Sequence, residues 1–481
     1  MTRWTLAFFA LLQAGAGAAR AQSAAYDIVI ANGRVIDPES KLDAVRSVGI
    51  SGGRIVAISA GPLQGKQVID AKGLVVAPGF IDLHAHGQDD ENYRIFALDG
   101  VTTALELEVG TGDVPAFYAE REGKALINFG ASAGHIRARM VVMHDPSTGL
   151  LPTGAGGREV ATDNQIAEIR RLIESGLAAG ALGEGMGLQY TPAASKYEVL
   201  EAFRAAAKYR APVFVHVRSF GTTDPGSSVE SFLEVIGASA ITGAPVHIVH
   251  LNSMSLASTP RTLAMVKEAR DHGLDVTTEA YPYIAGLTEI GSALLDQYVD
   301  GPDSMFSKLM LVSTGERLTR ATFTAARKSN GMVILFLNTP EMEAMAITSP
   351  LTAIASDGGL HDGKGHPRTA GTRARVLGYY VRETKQITMM EAIRKMTLMP
   401  AQRLEKLAPT FRNKGRIKVG ADADITVFDP ATVTDKSTYQ QPALPSVGFR
   451  FVLVNGVPVV MGGVVRDGTH PGRGARAPIR Q

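Results

Sequence analysis

The chain has 481 residues, 45% of them hydrophobic and 20% charged, with a formal net charge of +2. That is ordinary globular composition, and so small a net charge gives no reason to expect nucleic acid or an anionic membrane surface as a partner. Cysteine is absent, which excludes disulfides, thiolate nucleophiles and thiolate metal ligands, so any metal must be held by His, Asp or Glu.

The first residues read as a secretory signal peptide over residues 1–21. Arg3 gives a positive start, Trp4 to Ala16 is mostly apolar, and Ala19-Arg20-Ala21 fits a small-x-small cleavage site. The run is shorter than the roughly 20 apolar residues a membrane span needs. A mature protein in the periplasm or secreted is therefore expected, and no later segment is apolar enough to span a membrane.

Residues 22–78 alternate as short strands with turns. Tyr26–Ile30 precedes the turn signal Asn32-Gly33, followed by Arg34–Asp37, Val48–Ile50 and Arg54–Ile58. Residues 405–481 mirror this pattern with Gly415–Gly420, Ala423–Pro430 and Phe451–Val460. The two ends are expected to meet in one small β-sandwich, with a short tail beyond it.

Between them, residues 79–404 alternate strand and helix, which predicts a parallel sheet. Eight strands are expected to end near His86, Glu108, Ala133, Gly185, Val217, His250, Glu279 and Asp357. Apolar positions at helical spacing predict helices over Asn164–Gly180, Ser195–Tyr209 and Thr259–His272. The economical fold is α/β: a (β/α)₈ TIM-like barrel with an insertion near residues 286–348, too long for one crossover and read as a cover for the mouth.

The strand ends carry the chemistry. Val76–Gly87 is an apolar strand ending in His84 and His86, whose side chains share a side by period two. Eleven histidines in 481 residues give roughly a quarter of one His-x-His by chance, so position matters more than the pair itself. The carboxyl ends of barrel strands are where active sites lie. His216 ends a fifth apolar strand, His250 a sixth and Asp357 an eighth. Four histidines and an aspartate on separate apolar strands need partners that core packing does not offer, and a divalent metal supplies them together. One or two ions are expected, zinc first among the divalent metals. Glu106 and Glu108 share a face; Glu108, nearer the strand end, is the preferred ligand or bridge, Glu106 the alternative and Glu184 a third option. His247 is out of phase with His250 and is expected to meet a backbone group. His135, after the third strand, is a candidate for the mouth.

At these residues the chain resembles the amidohydrolase superfamily: Pro-Gly-Phe-Ile-Asp-x-His-x-His from Pro78 to His86, single histidines on strands five and six, and Asp357 on strand eight. Within it the resemblance is to the D-aminoacylases, or N-acyl-D-amino-acid deacylases. Gly187–Pro192, His216–Ser219, Ile248–Leu251, Ala280–Gly286, Ser356–Gly358 and His366–Arg368 carry it. Two departures stand out. The family pattern places a metal-binding cysteine at the end of strand two, where this chain offers Glu108. It places a lysine two residues after the sixth-strand histidine, where this chain has Asn252.

The resemblance and the residue chemistry imply metal-assisted hydrolysis of a C–N amide bond in a small molecule, with deacylation of N-acyl-D-amino acids as the expected activity. Asp357 would transfer the proton of the attacking water. His135 or Tyr190 would help polarise the carbonyl, Arg368 would pair with a substrate carboxylate, and Tyr283 and Asn252 would line the pocket. A dipeptidase, a cyclic-imide or carbamate hydrolase, or a non-catalytic binding protein on the same scaffold are the alternatives. Oligomeric state is left open by the sequence.

Overall fold

The computed structural model describes Met1, residues 25–329 and residues 331–480; the expected signal segment lies outside the described residues. Eight parallel strands form the barrel: β1 (Phe80–Asp82), β2 (Val101–Thr111), β3 (Asn128–Gly134), β4 (Glu184–Gly187), β5 (Val213–His216), β6 (Val246–Ile248), β7 (Val276–Ala280) and β8 (Thr352–Ile354), neighbours in that order. Runs such as Val-Phe-Val and Thr-Ala-Ile are buried throughout, as expected of parallel strands covered by helices on one face and a filled barrel on the other.

The backbone ladder stops between β8 and β1, and side chains close the seam. The Asp82 carboxylate accepts from the backbone N–H of His84 (3.2 Å) and of Ser356 (3.0 Å), and from the Ser356 hydroxyl. Arg373 Nη2 lies 2.9 Å from it. Just beyond, the N–H of His86 donates to the Gly358 carbonyl at 2.8 Å.

The helices follow local signals. Asp163–Ala178 starts at a Thr162/Gln165 capping box and buries Ile166, Ile169, Ile173 and Leu177. Lys196–Tyr209 is capped by Ser195, and Thr259–Asp271 begins with proline in its first turn.

Strands from both ends of the chain form one nine-stranded sheet with a shared core, in which Ile30, Val35 and Val48 meet Ile425, Val427 and Leu453. Asn32-Gly33 is not a turn there. It is a bulge inside the continuous strand Tyr26–Asp37, with Asn32 at φ 62°. The bulge lets that strand pair with Gly65–Asp70 before it and with Val75-Val76 after it. The tail then runs beneath the barrel, where Ala475 N–H donates to Phe129 O at 2.7 Å and Ala477 N–H to Gly180 O at 3.0 Å.

The insertion is shorter than the sequence suggests. It is a three-stranded antiparallel sheet of Ala285–Glu289, Leu309–Leu311 and Met332–Phe336, with the helix Arg320–Ala326. The following helix, Pro340–Thr348, lies against β8 and belongs to the barrel layer. Its apolar residues made it look continuous with the insertion.

Candidate active site

Strand ends at one mouth of the barrel bring six side chains together. His84 Nε2 lies 3.2 Å from His86 Nε2, 3.2 Å from Glu108 Oε2 and 3.4 Å from Asp357 Oδ1. His86 Nε2 lies 3.3 Å from the same Glu108 oxygen and 3.2 Å from the same Asp357 oxygen. The other Glu108 oxygen, Oε1, faces His216 Nδ1 at 2.8 Å and His250 Nε2 at 3.2 Å. Glu108 thus stands between two groups of ligand atoms, one on each of its oxygens.

This donor set fits a divalent metal. Two imidazole nitrogens face each other across 3.2 Å and can share at most one proton, while two carboxylate oxygens crowd the same point. His84–Glu108–His250 and His84–His86–Asp357 each gather three ligand atoms within 4.8 Å. The field at the cluster favours positive charge. Burial opposes charging of His84, yet Asp357 and Glu108 outweigh it and raise its pKa to about 10. Burial likewise raises the Glu108 and Asp357 carboxyls, but His84, His216 and His250 around Glu108, and Arg368, His84, His86 and His250 around Asp357, hold both well below the ordinary range. His216 is pushed down to about 4 by burial and by its neighbour His250, which keeps it a neutral donor.

Backbone strain is concentrated at the same place. His250 (φ 31°) and Asp357 (φ 52°) both adopt the left-handed conformation as non-glycine residues, at a cost of roughly 1–3 kcal/mol each. His250 lies two residues past the end of β6 and Asp357 three past the end of β8, where the left-handed turn directs each side chain to the cluster.

The cluster is held from behind. His84 Nδ1 lies 2.7 Å from Glu279 Oε1, and His247 Nε2 lies 3.1 Å from Glu279 Oε2. His86 Nδ1 lies 2.9 Å from Glu106 Oε2. His216 Nε2 meets Gln189 Oε1 at 2.7 Å. Such outer partners fix the tautomer and orientation of a ligating imidazole. Glu106 thus backs His86 from outside, while Glu108 stands among the imidazole nitrogens of the cluster.

Several sequence expectations are corrected. His247 bonds the Glu279 carboxylate and Thr277 Oγ1 (2.7 Å) rather than a backbone group. His135 does not face the mouth: it opens the helix His135–Val142 and is buried against Glu198 (2.8 Å), which also binds Arg139. Glu184 reaches no ligand atom; both its oxygens are buried without a partner, and burial pushes its pKa up to about 8. Asn252 lines a cavity, but its carboxamide is taken up by the Tyr281 backbone at 3.1 and 3.4 Å. The Tyr283 ring lines the same cavity while its hydroxyl points to Asp435 at 3.4 Å. Glu279 and Gln189 were missed as partners, although an acidic residue ending a barrel strand was a signal for the first.

Arg368 is 1% exposed. Its Nη2 is 2.9 Å from Asp357 Oδ1, its guanidinium lies 4.6 Å from the Tyr281 ring centre, and its Nε and Nη1 are buried without partners. Two cavities adjoin the cluster. The smaller is reached by His216 and His250; the larger holds His86, Glu108 and Arg368; Tyr190 and Asp357 border both.

A family model described as "Amidohydrolase family" matches residues 67–298 and 329–460. D-aminoacylase from Alcaligenes xylosoxydans xylosoxydans is 29% identical, covering 92% of this chain and 96% of its own length. N-acyl-D-glutamate deacylase from the same organism is 32% identical, covering 90% and 93%. Among solved structures, N-acyl-D-glutamate deacylase from Bordetella bronchiseptica, complexed with zinc and a phosphonate inhibitor that mimics the tetrahedral intermediate, superposes with a TM-score of 0.81 at 26% identity, covering 94% of this chain and 100% of that one. A D-aminoacylase crystal structure gives a TM-score of 0.78 at 26% identity with the same coverage.

Proposed function

We propose, since the chain belongs to the amidohydrolase family, that it is a metal-dependent hydrolase that releases D-amino acids from N-acyl-D-amino acids. The observation that carries this reading is the position of Asp357, which touches His84, His86 and the buried guanidinium of Arg368 at once. That proximity supports a hydrolytic centre with a carboxylate receptor one side chain away. The relatives' names supply the D-configured substrate class.

The metal would be held by His84, His86, Glu108, His216, His250 and Asp357, as one ion or two sharing Glu108, with zinc the leading candidate. When bound, the ion supplies the acidity that makes water a nucleophile near neutral pH and polarises the scissile carbonyl. Asp357 begins the cycle as a carboxylate, accepts the water's proton and returns it to the leaving nitrogen. Arg368 steadies Asp357 through Nη2 and offers Nε and Nη1 to the substrate's α-carboxylate, a charge-assisted pairing that fixes the amide over the cluster. Tyr190 walls the reacting centre between the two cavities and helps to exclude water from it.

The test is metal analysis of the purified mature protein combined with free amino acid release from N-acetyl-D- and N-acetyl-L-amino acids. Bound zinc with D-selective release is expected. Release from the L-panel alone, or from dipeptides and cyclic amides alone, would overturn it. The reading includes export by the amino-terminal segment; cell fractionation with amino-terminal sequencing of the mature protein, expected near residue 22, tests that part.

A further inference from the structure

We infer that the smaller cavity is an acyl-chain pocket, so that the preferred substrates carry an extended apolar acyl group rather than acetyl. This rests on the deacylase reading and names the substrate arm that the cavity selects. Its walls are Leu256, Ile284, Leu294, Leu335 and Leu337, two of them from the last strand of the insertion and the residue after it. Among the described residues that line it, Asp357 alone belongs to the charged types. The amides in the wall are engaged: Gln189 Oε1 on His216, Asn252 on the Tyr281 backbone, and Asn338 Nδ2 on the Asn252 carbonyl at 2.9 Å. Among the described residues that line it, no lysine or arginine stands ready to pair with an acidic arm. An apolar arm would remove leucine surface from water.

The direction follows from the substrate's connectivity. The α-carboxylate and the side chain leave the same carbon on the nitrogen side of the amide, and the acyl tail leaves from the other side. Arg368, with its two unpartnered nitrogens, lies in the larger cavity. With the carboxylate there, the amino-acid half occupies that larger cavity, where Glu289, His361 and Lys364 also stand. The scissile carbon sits at the Asp357–Tyr190 border, and the tail continues into the leucine-lined cavity.

The experiment uses the purified full-length enzyme and two substrate series: N-acetyl, butanoyl, hexanoyl and octanoyl D-alanine, and the N-acetyl derivatives of D-alanine, D-leucine and D-phenylalanine. The expected result is a kcat/KM that rises about fourfold per added methylene through hexanoyl, with a much flatter side-chain series. Leu335→Trp, which fills the cavity, is expected to lower the hexanoyl-to-acetyl ratio of kcat/KM at least tenfold. Should that variant not fold, the wild-type series still decides. A flat or falling acyl series overturns the assignment; beside a steep side-chain series it gives the pocket to the amino-acid side chain. Release from no member of either series overturns the deacylase reading itself, and this inference with it.

Discussion

Glu279 Oε1 lies 2.7 Å from His84 Nδ1 while its other oxygen lies 3.1 Å from His247 Nε2. One buried carboxylate thus orients a ligand imidazole whose opposite nitrogen faces the cluster. Burial alone would raise its pKa; His247 and His84 instead bring it down to about 2. Glu279→Gln keeps the shape and loses the charge. Metal affinity is expected to fall about 10- to 100-fold, measured by chelator competition, with the circular dichroism spectrum unchanged. Unaltered metal affinity would refute the orienting role.

Asp357→Asn preserves volume and removes the proton acceptor. Turnover is expected to fall about 10²- to 10⁴-fold, with the fold intact and much of the metal retained. Steady-state kinetics beside metal analysis separates this from simple loss of the ion; near wild-type kcat would exclude Asp357 as the base.

Arg368→Lys replaces a planar fork with a point charge that cannot hold Asp357 and a substrate carboxylate together. KM for N-acyl-amino acids is expected to rise by tenfold or more. The sharper measure is the preference for the acid over its carboxamide analogue, which should collapse in the variant. An undiminished preference would place the carboxylate elsewhere.

Strand-end histidines and carboxylates were legible because period two and position at the end of an apolar run are local properties. Six such residues meet at the mouth, carried there by His84, His86, Glu108, His216, His250 and Asp357. The same criterion misplaced His135, whose fate depends on Glu198, 63 residues away and on another helix. It could not foresee the left-handed backbone at His250 and Asp357, since neither residue type announces a positive φ. The insertion was legible as an interruption, but where it ends was not, because the apolar residues of the helix that follows it read as part of the same segment.

Glu184 predicts a pH dependence of stability. Its pKa rises from 4.5 to about 8 in the folded protein through burial alone. Between those values the folded state binds more protons than the unfolded one, so stability present below pH 4.5 is lost as pH climbs toward 8. At about 1.4 kcal/mol per unit the loss is at most about 5 kcal/mol. Glu184→Gln removes the ionisation. Its melting temperature is expected to match wild type near pH 5 and exceed it near pH 8; parallel profiles for the two proteins would rule this out.

The seam between β1 and β8 has a bearing on how the protein assembles. Asp82 and Ser356 are 274 residues apart in the chain, and the same seam carries His84 and His86 on one lip and Asp357 on the other. Contacts this remote carry a high loop-closure cost unless the intervening strands are already ordered. His84 and His86 on one lip and Asp357 on the other would hold an ion across that joint and so add to its closure. Stripping the metal should loosen that joint first, and amide hydrogen exchange should quicken at Phe80–Asp82 and Thr352–Ile354 before the remaining staves respond.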